Sequence, residues 1–177
     1  EMKGNVPAVT RILKSFIKAD QSLFPNLIPV LGVFQRLIAS KAYDIYGFEI
    51  LEVIIIHIDM ERLKPYLKQI AVLLLQRLQT SKTERYVKQL VVFLATISIK
   101  LGPDFVVEFI DGVQDGVFSQ IWGNFILTTL PGIGHLLSRK IALVGTLNVM
   151  ISGNIFVNKY QPLLVPTLEA IVELSLI

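Results

Sequence analysis

The sequence predicts an all-α chain of stacked helix pairs, and three observations predict it. Apolar residues recur at helical spacing almost throughout, and no stretch alternates cleanly with a period of two. Gln35-Arg36-Leu37 followed by Ser40-Lys41 recurs as Gln76-Arg77-Leu78 followed by Ser81-Lys82, displaced by 41 residues. The apolar fraction is 53% and the charged fraction only 18%, as when each unit buries one face on the unit before it and another on the unit after. A period near 40 with two helices per unit is that of HEAT or armadillo repeats. Residues 1–177 are therefore expected to form one HEAT-repeat segment, a right-handed superhelical solenoid of about four helix pairs. The pairs are placed at about 5–40, 44–79, 82–133 with a short extra helix near 103–113, and 138–176.

The elements follow in order. Asn5 is placed to cap a first helix with Pro7 in its opening turn, running to about Ala19 with Val9, Ile12, Leu13, Phe16 and Ile17 inward. A second helix runs from about Pro25 to Ser40, with Leu27, Val30, Leu31, Phe34, Leu37 and Ile38 on its apolar face. Asp44 opens a third helix to about His57, and Glu61–Gln79 form a fourth with a stripe of Leu63, Leu67, Ile70, Leu74 and Leu78. Ser81-Lys82-Thr83-Glu84 has the spacing of a capping box and starts a fifth helix, with Val87, Leu90, Val91, Leu94 and Ile97 inward, that stops at Gly102-Pro103. Helices at about 117–130, 138–152 and 160–176 complete the set, Asn158 with Gln161 being the expected cap of the last. Glu1 and Met2 lead straight into helix-like sequence, so the chain is expected to be a segment of something larger. Leu163, Leu164, Leu168 and Ile171 are then expected to form an apolar face that a neighbouring repeat covers.

Composition narrows the function. Residues 1–100 hold fourteen Lys/Arg against eight Asp/Glu, and residues 101–177 hold three against six. The net charge of +3 is too small for a nucleic-acid footprint, but its distribution suggests a polarised surface. Cysteine is absent, which excludes disulfides and thiolate chemistry. Residues 116–138 and 141–158 carry no charged side chain, so a multi-spanning membrane protein has to be weighed. Gln120, Asn124, His135 and Pro131-Gly132 in the first, and Asn148, Ser152-Gly153-Asn154 and Asn158 in the second, argue against a bilayer core, and no membrane insertion is expected.

No constellation of catalytic residues emerges. His57 and His135 have no ligand-spaced partners, and Gly132-Ile133-Gly134 lacks the rest of a dinucleotide loop. The expectation is a non-enzyme with no catalytic residue, metal or cofactor. Asp104, Glu108, Asp111 and Asp115 read as solvated surface around the short helix, and Trp122 and Tyr86 as core rather than interface anchors. Lys64 and Lys68, one helical turn apart, are the candidate protein-binding residues, placed to steer an acidic protein surface.

Longer matches point to a family. Leu31-Gly32-Val33-Phe34-Gln35-Arg36-Leu37-Ile38-Ala39-Ser40-Lys41-Ala42, Asn5-Val6-Pro7-Ala8 with Arg11-Ile12-Leu13, Lys68-Gln69-Ile70 and Leu75-Gln76-Arg77-Leu78-Gln79 carry the resemblance. So do Ser81-Lys82-Thr83, Phe109-Ile110-Asp111-Gly112-Val113-Gln114, Lys140-Ile141-Ala142-Leu143-Val144-Gly145 and Pro162-Leu163-Leu164. The chain resembles the C-terminal half of the exportin-2 (importin-α re-exporter, cellular apoptosis susceptibility) family of the importin-β superfamily. The resemblance implies a HEAT solenoid whose first helices line the convex side and whose second helices line the concave side. It implies a nuclear export receptor that carries importin-α to the cytoplasm with GTP-bound Ran, meets nuclear pore proteins and shuttles between nucleus and cytoplasm. A generic HEAT scaffold subunit of another complex would share the fold without these matches.

Overall fold

The computed structural model describes residues 3–176, and among them there is no β-strand. Eleven α-helices are numbered here in chain order: α1 Val6–Ala19, α2 Ile28–Ala39, α3 Asp44–His57, α4 Met60–Ser81, α5 Glu84–Leu101 and α6 Pro103–Asp111. They continue as α7 Val117–Ile121, α8 Leu127–Thr129, α9 Leu136–Ser152, α10 Asn154–Lys159 and α11 Leu164–Ser175. The chain divides within α5 into two compact units, Glu1–Tyr86 and Val87–Ile177.

In the first unit α3 packs against both α1 and α2, and α4 packs against α2. Apolar residues cover most of the circumference of α3, as suits a helix with neighbours on several sides. Phe48, Ile50, Leu51, Val53, Ile54 and Ile55 are all buried. Gly47 lets α3 approach α2 closely, because a Cβ there would press on the backbone of Ile38. The stripe expected on α4 is realised by Leu63, Ile70, Leu74 and Leu78, with Leu67 half-buried.

Helix α1 departs from expectation. Ile17 is buried and Leu13 half-buried, but Val9, Ile12 and Phe16 are exposed. The side that meets α3 runs through Thr10, Leu13 and Ile17, so the neighbouring apolar stripe is left open. Asn5 occupies the N-cap position without a side-chain capping bond.

The capping box is also displaced. Helix α4 runs on through Ser81, whose Oγ accepts from Arg77 Nη1 at 2.7 Å. The side chain that meets the start of α5 is Thr83, whose Oγ1 accepts from the Tyr86 backbone N–H at 3.2 Å. Ser81 is drawn into α4 because a buried arginine needs its hydroxyl.

That arginine belongs to a charged group inside the first unit. Asp44 opens α3 and is fully buried; its carboxylate accepts from Arg85 Nη2 at 2.6 Å and lies 3.5 Å from Arg77 Nη2. Arg77 Nε also donates to the Ile38 carbonyl at 3.3 Å, its guanidinium lies 5.0 Å from the centre of the Tyr86 ring, and Arg85 donates to the Lys41 carbonyl. Tyr86 is core, as expected, and its hydroxyl donates to the Leu74 carbonyl at 2.9 Å.

In the second unit α6 packs against α7, α9 and α10, and α9 packs against α11. The α5–α9 contact is tight at Gly145, where any Cβ would overlap Ala95. Ser98 Oγ donates there to the Gly145 carbonyl at 3.1 Å, and Asn148 Nδ2 donates to the Ser98 carbonyl at 2.9 Å. The stretch expected as one helix over 117–130 is broken by a π-helical turn, Trp122–Ile126. Trp122 is buried against Phe118 and Phe156, and its Nε1–H donates to Thr167 Oγ1 at 2.9 Å. Such a single π turn, with its i→i+5 bonding, widens the helix locally.

The last expected helix, 160–176, begins later than expected, and a short helix not expected from the sequence precedes it. Asn154–Lys159 forms α10, a 3₁₀ turn follows at Gln161–Leu163, and α11 starts at Leu164. Asn158 does not cap α11; its Nδ2 donates to the Asn154 carbonyl at 2.8 Å. Of the four residues expected to form an open apolar face, Leu168 is exposed, Leu163 and Leu164 are half-buried, and Ile171 is buried. Helix α11 is rotated so that Thr167, Ala170, Ile171 and Leu174 face inward, leaving Val165, Leu168, Val172 and Leu176 outside. Both charge-free stretches are broken, and among the described residues no helix is long and apolar enough to cross a membrane.

Removing Asp44 leaves Arg77 buried and unpaired, so Asp44→Ala is expected to destabilise the first unit by about 3–5 kcal/mol. Arg85 is half exposed, and Arg85→Ala is expected to cost about 1 kcal/mol or less. Urea unfolding followed by circular dichroism compares the two variants. Equal losses would mean that burial of the carboxylate does not set the cost.

Candidate protein-binding surface

Lys64 and Lys68 lie on α4 and are both exposed. Their helix is fixed at each end. At its start Asp59 caps through Oδ1, accepting from the Glu61 N–H at 3.1 Å. The Asp59 N–H donates to Gln21 Oε1 at 2.8 Å, and Arg62 donates to the Gln21 carbonyl at 3.3 Å and to that of Phe24. At the far end Arg77 is held by Asp44 and Ser81. The two lysines thus stand on a helix pinned to the turn at Gln21–Leu23 and to the start of α3, with ammonium groups in water. Exposed cations of this kind can act at a distance on an acidic surface, through their field rather than through buried contacts.

The same helix borders a groove. Between α2 and α4 lies an open cavity of about 130 Å³ lined by Ile28, Gly32, Gln35, Tyr66, Gln69 and Leu73, over Phe34 and Ile70. At about 100° per residue, Lys64 and Lys68 fall on the side of α4 away from it. The groove was not anticipated, although i, i+3, i+4, i+7 spacing on both helices marks two facing stripes.

The acidic cluster resolves into two kinds of residue. Glu108 and Asp115 are exposed, as expected. Asp104 and Asp111 are not simply solvated. Asp104 Oδ1 accepts from the Ile155 N–H at 2.9 Å, at the start of α10. Asp111 accepts from the Phe118 N–H at 2.9 Å, from Lys159 Nζ at 2.9 Å and from the Tyr160 hydroxyl. Burial alone would raise the Asp111 carboxyl, but the bonds from Tyr160, Phe118 and Lys159 outweigh it and hold its pKa below the ordinary value. The Asp115 carboxylate, then Asp111, hold Lys159 charged by raising its pKa. These acids tie α6 to α10, and the sequence hid this because their partners lie about 50 positions away. Lys159 would have been the clue, as one of three cations in the acidic half.

Neither histidine is placed for chemistry. His57 is exposed at the end of α3, and His135 caps α9, its Nδ1 accepting from the Ser138 N–H at 3.5 Å.

Comparison with known proteins gives this geometry a context. A family model described as "CAS/CSE protein, C-terminus" matches residues 1–176. The importin alpha re-exporter of Saccharomyces cerevisiae is 67% identical over 173 residues, covering 98% of this chain and 18% of that protein. Human exportin-2 is 35% identical over 180 residues, covering 98% and 18%. Among solved structures, the exportin Cse1 in its cargo-free, cytoplasmic state superposes with a TM-score of 0.97 at 66% identity, covering 98% of this chain and 19% of that one.

The chain is therefore an all-α protein of the HEAT-repeat solenoid class. It belongs to the CAS/CSE family, through that family's C-terminal part. It spans about a fifth of the length of the curated relatives it matches.

Asp111 gives this family segment a test in acid. Its folded pKa lies below the unfolded value of about 4. Its contribution is therefore complete above that value and is lost as pH falls through it toward the folded pKa. Between about pH 5 and pH 2, wild type is expected to lose more stability than Asp111→Asn, read as melting temperature against pH. Parallel curves would show that Asp111 gains nothing from its three donors.

Proposed function

We propose that this chain is part of a nuclear export receptor that carries importin-α from nucleus to cytoplasm together with GTP-bound Ran. The observation that carries the reading is 67% identity, over 98% of this chain, with a protein named importin alpha re-exporter. The physical logic suits such a role. Stacked helix pairs offer a long surface on rigid elements, and no step of the cycle asks this segment for catalysis: it binds and releases. In this reading the units are helix pairs at about 5–40, 44–79, 82–133 and 138–176. The receptor passes through nuclear pores by contacts with pore proteins and shuttles between the two compartments. Lys64 and Lys68, on the second helix of a pair, lie toward the concave side and speed the approach of an acidic surface.

A receptor that grips its cargo along many repeats divides the contact among them. Joined sites gain about 10² to 10⁴ over separate ones, so this segment alone is expected to bind importin-α weakly, with no enhancement by GTP-loaded Ran. Pull-downs with the whole receptor and the segment in parallel check both statements; strong Ran-dependent capture by the segment alone would overturn the divided-contact reading. Within the whole receptor, reversing the charge of Lys64 and Lys68 is expected to slow importin-α association at low salt and to matter less near 0.1 M, where screening sets in over about 10 Å. Stopped-flow association rates across a salt series measure it, and an unchanged low-salt rate returns both lysines to a merely solvated role.

A further inference from the structure

The dipeptide Asp-Gly occurs twice in this chain, as Asp111-Gly112 at the end of α6 and as Asp115-Gly116 just before α7. Such a pair carries a reaction of its own. The glycine nitrogen, with no Cβ beside it to block the approach, can reach the aspartate Cγ and close a five-membered succinimide ring.

The fold treats the two copies differently. The Asp111 carboxylate is held by the Phe118 N–H, by Lys159 and by the Tyr160 hydroxyl, and its side chain is only 12% exposed. The Gly112 N–H, which would have to attack it, donates to the Glu108 carbonyl at 2.8 Å. Asp115 lies in the turn with its side chain 88% exposed, bonded to Lys159 at the surface. Among the described residues the Gly116 N–H has no hydrogen bond, and Gly116 stands at φ +81°.

We propose that Asp115-Gly116 is a site of spontaneous isoaspartate formation that loosens the turn from α6 to α7, and that Asp111-Gly112 is protected from the same reaction. The Gly116 nitrogen bonds to Cγ of the protonated Asp115 carboxyl, and the hydroxyl leaves with the amide proton as water. One water then opens the ring. Opening at the main-chain carbonyl routes the backbone through Cβ and Cγ, which lengthens it by one carbon and turns the former main-chain carbonyl into a free carboxylate. Nothing is oxidised or reduced, and water is the only other reactant. At Asp111 the three donors and the Glu108 bond have to be broken first, whereas an exposed pair such as Asp115 with Lys159 is a weak tether. Exposed turns with free backbone groups also open at the least cost. The change has a place to act, because Asp115 shares Lys159 with Asp111 and the added carbon falls shortly before Phe118, whose N–H Asp111 holds.

The test ages the full-length protein for weeks in heavy-oxygen water at neutral pH and body temperature. Peptide mapping by mass spectrometry reads the heavy oxygen gained at each aspartate, and electron-transfer fragmentation separates isoaspartate from aspartate. Uptake at Asp115 is expected to exceed that at Asp111 by about tenfold or more, since Asp111 reacts only after its hydrogen bonds open. In guanidinium chloride the two dipeptides should react at similar rates, because the fold alone distinguishes them. Asp115→Glu should abolish uptake at that position, glutamate having to close a six-membered ring; the position is exposed, and circular dichroism checks that the variant folds. Aged protein should show faster hydrogen exchange at the Phe118 N–H than fresh protein. Comparable uptake at both sites of the folded protein, or none at Asp115 while the denatured chain reacts, would overturn the proposal. Isoaspartate at Asp115 with unchanged exchange at Phe118 would overturn the loosening of the turn.

Discussion

The carboxylate of Asp44 is the point on which the first unit depends. It is fully buried, and a buried charge is tolerable only when paired and hydrogen-bonded. Arg77 and Arg85 supply that pairing, and each also reaches a backbone carbonyl, Ile38 and Lys41. The end of α2, the start of α3, the end of α4 and the start of α5 therefore meet at one group of charges. None of these helix ends can shift without leaving a charge unpaired. Apolar packing is non-directional and would tolerate a slide of one helix along another; this ionic group does not.

The sequence separations of such contacts carry the repeat. Gln21 to Arg62 is 41 residues, Asp44 to Arg85 is 41, and Ile38 to Arg77 is 39. In the second unit Ser98 to Gly145 is 47, Asp111 to Lys159 is 48 and Asp104 to Ile155 is 51. The Ser98–Gly145 separation spans the inserted helix α6, between Gly102 and Gly112, whereas Asp104 and Asp111 lie on that helix itself. Each contact joins elements about one repeat apart within its own unit, by an ion pair or by a polar side chain bonded to a backbone group. This accounts for a low charged fraction coexisting with well-placed ion pairs: in a stack most surface is apolar seam, and charges are kept where backbone groups would otherwise be orphaned.

What could be read from sequence follows the same division. Long single-phase stripes, on α4 and α5, were legible because every turn repeats the same instruction. The stop at Gly102-Pro103 was legible because φ at Gly102 is +102°, a conformation other residues resist. Phase at the edges of the stack was not. Val9, Ile12 and Phe16 look as inward as Leu13 and Ile17 until the position of α3 is known. Ser81 looked like a cap because sequence does not show that Arg77, inside an apolar stripe, is buried and needs its hydroxyl. The π turn at Trp122 answers to Thr167, 45 residues on. In each case local pattern fixed the element, and a partner one repeat away fixed its end or its face. The exposure of Lys64 and Lys68 follows from their charge, whereas the groove on the opposite side of α4 is made by two helices and belongs to neither sequence alone.

Helix α4 accordingly presents two surfaces with separate physical consequences. On one side Lys64 and Lys68 stand in water, and the steering proposed for them would act through the field around them. That effect reaches about a Debye length and acts chiefly on association. On the other side the groove of Tyr66, Gln69 and Leu73 is uncharged and partly enclosed, so whatever occupies it is held by lost apolar surface and acts chiefly on dissociation. Salt should therefore separate the two, weakening the first while leaving the second nearly untouched. The two surfaces of one helix can therefore differ in kind, one setting how fast an encounter occurs and the other how long it lasts.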